Sequence, residues 1–150
     1  MKSPVLKLDD FLPFRLSVTS NLVSEAIAQT YMTLFGLSIP EWRLIAVIAE
    51  SDAITQLQIG ERTRMDKVTV SRAAIALANR GLVIRTMKAN DRRSKVLSLS
   101  PAGRVLYSEV VPKALHLESE IFCGIGGDEL AALRALLRQI DTIVLSRPTR

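Results

Sequence analysis

The apolar side chains change period twice in the middle of this chain, and that change limits the folds open to it. From Asp66 to Gly81, in "DKVTVSRAAIALANRG", Val70, Ala74 and Leu77 recur at helical spacing, with Ala73 beside them. The next stretch, "LVIRTM", reads as strand, a polar turn spans 89–94, and "KVLSLS" reads as a second strand. Helical spacing returns at Ser100-Pro101, where serine is an N-cap and proline suits the first helical position. One face cannot serve both periods, so a hairpin must be attached to a helical frame.

The flanks supply that frame. Leu12, Leu16, Val23, Ile27, Tyr31 and Leu34 predict an amphipathic helix over 9–35, with Pro13 in its first turn and Gly36 ending it. "SIPE" predicts a capping box from Ser38 and Glu41 at the head of a second helix reaching about residue 50. "TQLQ" repeats the device with Thr55 and Gln58, opening a short third helix through about residue 63. Asp66 is the N-cap of the fourth, and Gly81 follows its end. After Pro101, helix is expected to about residue 122, kinked at Pro112 and broken by "GIGG" at 124–127. A last helix carries Leu130, Leu133, Leu137, Ile140 and Val144 at alternating three- and four-residue steps. The chain is therefore expected to be one domain, mainly α with a small β-hairpin, its centre a helix-turn-helix.

Composition narrows the classes. At 150 residues and 48% apolar, the chain can bury a core. It shows no uninterrupted apolar run near the roughly 18 residues of a membrane span and no secretory signal, and its single cysteine, Cys123, allows no intrachain disulfide. A cytoplasmic protein is expected. The net charge is +5, yet the segment from Gly60 to Lys95 alone carries ten Lys or Arg against three acids. A basic block in an otherwise slightly acidic chain is the footprint of a polyanion, or else a solvated face.

In a helix-turn-helix, the N-terminal residues of the second helix reach base edges in the major groove. Here they are Lys67, Val68, Thr69, Val70, Ser71 and Arg72. With Val70 inward, the 100° step puts Val68 and Arg72 on the opposite face and Thr69 and Ser71 on its flanks. Arg72 suits guanine O6 and N7, Val68 a thymine methyl, and Thr69 and Ser71 phosphates or bases. A helix-start hydroxyl such as Thr69 can instead bond its own turn. The hairpin tip carries Arg92, Arg93 and Lys95, which suit phosphates or a narrow minor groove. Asp91 is expected to orient Arg93. Arg62, Arg64 and Lys88 are placed to flank the DNA backbone.

"MDKVTVSRAAIALANRGLVIR" followed by "NDRRSKVLSLSPAG" resembles the multiple-antibiotic-resistance regulator (MarR) family of winged-helix repressors. Asp66, Lys67, Thr69, Val70, Ser71 and Arg72 meet its recognition-helix pattern. Asp91, Arg93, Leu99 and Ser100 meet its wing pattern, with serine in place of threonine. The family usually has glycine where Arg64 stands, an acid–arginine pair where Ile75 and Ala76 stand, and serine-proline where "GIGG" opens the last helix. The resemblance implies a twofold dimer through helices at 9–35 and 101–146, with a winged-helix lobe at 38–100 facing a pseudopalindromic DNA operator. It implies repression, relieved by a small effector, aromatic or anionic, for which Arg15, Trp42 and Arg43 are the candidate contacts. Trp42 has a plainer reading as core, and Cys123 as a buried inert thiol. His116 reads as a helix-surface residue.

An enzyme is not expected. One His and one Cys without partners give no nucleophile–base pair, and no glycine-rich phosphate loop follows a strand. No cofactor and no metal site is expected. The rival reading is a winged helix used for protein or RNA contacts without operator specificity.

Overall fold

Six helices and three strands account for most of the computed structural model, which describes residues 1, 3–88 and 91–149, excluding the side chains of 88 and 91–94. After a short 3-10 turn at Leu8–Asp10 come α1 (Leu12–Phe35), α2 (Ile39–Ser51), β1 (Ala53–Thr55), α3 (Gln56–Thr63) and α4 (Lys67–Asn79). The hairpin strands β2 (Val83–Lys88) and β3 (Asp91–Leu99) follow, then α5 (Pro101–Ile121) and α6 (Gly127–Leu145). The chain divides into two compact units, Met1–Ala114 and Leu115–Arg150.

Local chemistry sets most boundaries in the first unit. Gly36 closes α1 in the left-handed region, its N–H on Met32 O and the next N–H, of Leu37, on Tyr31 O. Leu37 is then driven fully into the core. Ser38 accepts from the Glu41 N–H at 3.3 Å, but the reciprocal half of the expected box is missing. The Glu41 carboxylate lies instead 3.8 Å from Arg80 at the end of α4. Arg80 also donates to Gly36 O (2.9 Å) and Phe35 O (3.1 Å), placing a cation on the carbonyl end of α1. The box at Thr55 and Gln58 is complete.

The sheet runs β1-β3-β2, all antiparallel. β1 is the element that the sequence pattern does not announce. Its three residues pair with 96–98, far along the chain, and bury Ile54. β3 begins at Asp91, inside the stretch expected to be turn. Register jumps between Met87↔Lys95 and Lys88↔Asp91, so residues 92–94 have no partners on β2.

The core lies where α2, α4 and the sheet meet. Leu44, Ile45 and Ile48 of α2, Val70, Ala74 and Leu77 of α4, and Leu97 of β3 are buried together. Each of these leucine, isoleucine and valine side chains contributes roughly 1.5–3 kcal/mol on burial. Trp42 belongs to this core's margin, edge-on to Tyr31 at 5.7 Å and stacked on Tyr107 of α5 at 6.0 Å. Burial pushes the Tyr31 phenol pKa up from its ordinary value.

One small knot fastens the hairpin to α5. Ser100 donates its hydroxyl to Gly81 O (2.6 Å) and accepts the Gly103 N–H (3.0 Å), while its own N–H donates to Leu82 O (3.0 Å). Gly103 packs so closely that an added Cβ would stand 2.0 Å from Leu82 O.

In the second unit, α6 starts at Gly126 without a side-chain cap, as the glycine-rich break implied, and Asp128 and Glu129 in its first turn favour the helix dipole instead. Glu118 pairs with Arg134 at 2.8 Å, and His116 lies 3.1 Å from Glu120 on the helix surface. α5 is continuous through Pro112 to Ile121. Cys123 is exposed, which corrects the expected buried thiol: it stands in the turn after α5, outside any helix face that could cover it.

Gly103→Ala should cost about 1–3 kcal/mol, or more, because backbone rather than a side-chain tip blocks the new methyl. Ser100→Ala should cost about 1–2 kcal/mol and Ser100→Thr much less, since threonine keeps both hydroxyl bonds. Urea unfolding of the three variants checks both expectations.

Candidate nucleic-acid interface

The start of α4 is fixed by Asp66. Its carboxylate accepts the Thr69 N–H at 2.7 Å and the Thr69 hydroxyl at 2.9 Å, and these two bonds, the backbone one first, hold its pKa below the ordinary aspartate value. Along the first turns the burial order is exposed Val68, half-buried Thr69, buried Val70, half-buried Ser71, exposed Arg72. That is the order the 100° step predicts when Val70 is turned inward.

Val68 leaves 56% of its surface exposed while Val70, two residues on, leaves 2%. Lys67 and Arg72 are exposed, and among the described residues neither makes an ion pair. Thr69 is partly withdrawn from the role expected of it. Its hydroxyl proton is committed to Asp66, and a phosphate oxygen, which only accepts, has nothing left to receive from that hydroxyl. Two lone pairs remain to accept from a base amino group. Ser71 lines a groove of about 320 Å³ with Gln56, Leu57, Lys67 and Val70. Gln56 and Leu57, at the head of α3, are thus part of this surface. The sequence signalled Gln56 and Leu57 only as the filling of a capping box.

On the hairpin, Lys95 is exposed and lies beside Arg85, Thr86 and Met87 around a recess of about 230 Å³. Arg85 reaches toward Gln56 at 3.5 Å, a marginal contact, and its Nε is buried without a partner among the described residues. The side chains of Asp91, Arg92 and Arg93 lie outside the described residues, as does the expected Asp91–Arg93 contact.

The three candidate effector contacts are not drawn together by any observed contact. Arg15 and Arg43 are exposed, and Trp42 is packed between two tyrosines. A separate recess of about 240 Å³ is lined by Ile48, Ala49, Asp52, Leu99, Arg104 and Tyr107. Among the described residues no group of three or more His, Cys, Asp or Glu is placed to hold a metal. No single helix among them is long and apolar enough to cross a membrane.

A basic, outward-facing helix start beside an antiparallel wing is the geometry of a winged helix. Residues 35–94 match the family model described as MarR family. Over that stretch the chain is similar to the MarR family. A probable transcriptional regulator from Pseudomonas aeruginosa is 28% identical and superposes with a TM-score of 0.80 over 89% of this chain and 99% of its own. BpsR of Bordetella bronchiseptica, whose DNA binding is regulated by 6-hydroxynicotinic acid, is 24% identical with a TM-score of 0.79, over 87% and 98%. A cysteine-to-serine mutant of MarR from E. coli, complexed with operator DNA, is 19% identical with a TM-score of 0.77, over 91% and 99%. An uncharacterized HTH-type transcriptional regulator from Staphylococcus aureus is 25% identical over 82% of this chain and 83% of its own.

Because Asp66 has a depressed pKa when folded, its charge contributes stability above the ordinary carboxylate range, and that contribution is lost as pH falls through the folded value. The melting-temperature difference between wild type and Asp66→Asn should therefore be largest near neutrality and shrink in acid. Thermal unfolding of both proteins from pH 7 to pH 3 measures this, and a constant difference would contradict it.

Proposed function

We propose that this chain is a cytoplasmic homodimeric repressor that reads a pseudopalindromic operator through α4 and the wing and is released by a small aromatic or anionic effector. The observation that carries the proposal is the outward face of α4, where Lys67, Val68 and Arg72 are exposed around a buried Val70 and the two cations have no internal partners among the described residues. In this reading Arg72 pairs with guanine, Val68 meets a thymine methyl, Lys67 and Ser71 hold phosphates, and Thr69 accepts from a base. Arg92, Arg93 and Lys95 neutralise phosphates beside the wing, with Asp91 orienting Arg93.

The dimer is supported by apolar surface that a lone subunit leaves in water. α6 exposes Leu133, Leu136, Leu137, Ile140, Ile143 and Val144, and α1 exposes Leu12, Leu16 and Leu22. Exposure on this scale marks an association surface. A twofold axis then sets two copies of α4 about 34 Å apart, one turn of B-form DNA. An effector releases DNA only by preferring a subunit arrangement in which that spacing is wrong. BpsR, with its hydroxynicotinate, makes an aromatic acid the first class to try. Arg15, Arg43 and the margin of Trp42 are the candidate contacts.

Selection of bound fragments from the source genome, followed by titration in a DNA-shift assay, tests the reading against a protein- or RNA-binding winged helix. Arg72→Ala should lose about 1–3 kcal/mol of discrimination at one base position, whereas Arg93→Ala should weaken binding to most duplexes. Ile140→Asp should shift the protein toward monomers in sedimentation and lower operator affinity. Aromatic acids should weaken the shift without producing monomers. Equal affinity for chosen and scrambled duplexes would end the operator reading.

A further inference from the structure

The turn between α3 and α4 carries a second feature. Arg64 ends α3 at φ 59°, ψ 19°, in the left-handed region. A residue with a Cβ costs roughly 1 kcal/mol or more there relative to glycine. Its neighbour Arg62 is already engaged, paired with Glu50 of α2. Arg64 is exposed and has no hydrogen bond or ion pair among the described residues. It stands on the rim of a groove of about 350 Å³ at the head of α4, with Glu61, Asp66 and Lys67 as the other charged groups there. Asp66 is committed to capping α4. The unengaged cations on this rim are therefore Arg64 and Lys67, one on each side of the helix cap.

We propose that Arg64 is a phosphate-binding residue of the DNA interface, held by the left-handed turn beside the half-site that Lys67 and Arg72 read. A guanidinium offers five donors in a planar fork that matches phosphate oxygens. A glycine would make the same turn without strain, so internal packing does not account for an arginine here. The strain is sustained by the α3 and α4 helices on either side, and it fixes where the side chain leaves the backbone. Glu61 on the same rim repels an approaching phosphate, and the two cations outweigh its single charge. This assignment rests on the DNA-binding reading above and adds one contact per subunit to it.

The test uses the full chain and the selected duplex, with affinity measured between 50 and 200 mM salt for wild type, Arg64→Gly, Arg64→Asn and Arg64→Lys. Glycine and asparagine both tolerate the left-handed region, and asparagine keeps the turn stiffer. Both variants should melt at or above the wild-type temperature. Both should lose salt dependence, the slope of log affinity against log salt falling by about 0.9 per subunit, about 2 for a dimer. Arg64→Lys should keep most of the slope. An Arg64→Asn protein with the wild-type slope overturns the assignment while leaving the operator reading intact. Melting well below wild type in both the glycine and asparagine variants would also overturn it, by showing that packing holds Arg64. A wild-type protein without salt-sensitive duplex binding would instead remove the operator reading, and this contact with it.

Discussion

The packing of Val70, Ala73, Ala74 and Leu77 against α2 is the constraint from which the rest of this molecule follows. A helix has one rotational setting about its axis, and burying that stripe uses it up. Val68 and Arg72 then face water because nothing else is geometrically open to them. The two alanines matter as much as the larger residues. Short side chains let α4 lie close to Leu44, Ile45 and Ile48, and a closely seated helix does not roll. Without that seat, the charges of Lys67 and Arg72 would still exist, but they would have no fixed direction.

Three polar attachments hold the ends of that helix. Asp66 fixes its first turn, Arg80 ties its last turn to the carbonyl end of α1, and Ser100 clamps the loop after it to α5. Each satisfies backbone groups that helix ends leave without partners. Arg80 reaches furthest, because it joins α4 to α1 and α2 through Phe35, Gly36 and Glu41.

Signals carried by neighbouring residues were legible in advance. The caps at Ser38, Thr55, Asp66 and Ser100, the glycine stop at Gly36 and the buried stripe of α4 all depend on contacts within a few residues. What failed to show in the sequence depended on partners far away in the chain. β1 is too short to have a period and exists because β3 offers it an edge. Glu41 left its expected box because Arg80, from another helix, lies within reach. Gln56 and Leu57 joined the α4 groove because α3 packs beside α4, which no spacing rule encodes. Cys123 is exposed because a turn, not a helix face, receives it.

By itself the sequence determined the helical frame with its hairpin, the inward face of α4 and the basic character of the segment between Gly60 and Lys95. These rest on periodicity, capping and charge, which are properties of adjacent residues. Only the tertiary structure decided that Arg62 is paired while Arg64 has no partner among the described residues, and that the Thr69 hydroxyl bonds Asp66. Those outcomes turn on which groups arrive next to one another after folding, and a side chain with two possible partners is assigned by distance and burial rather than by its place in the sequence.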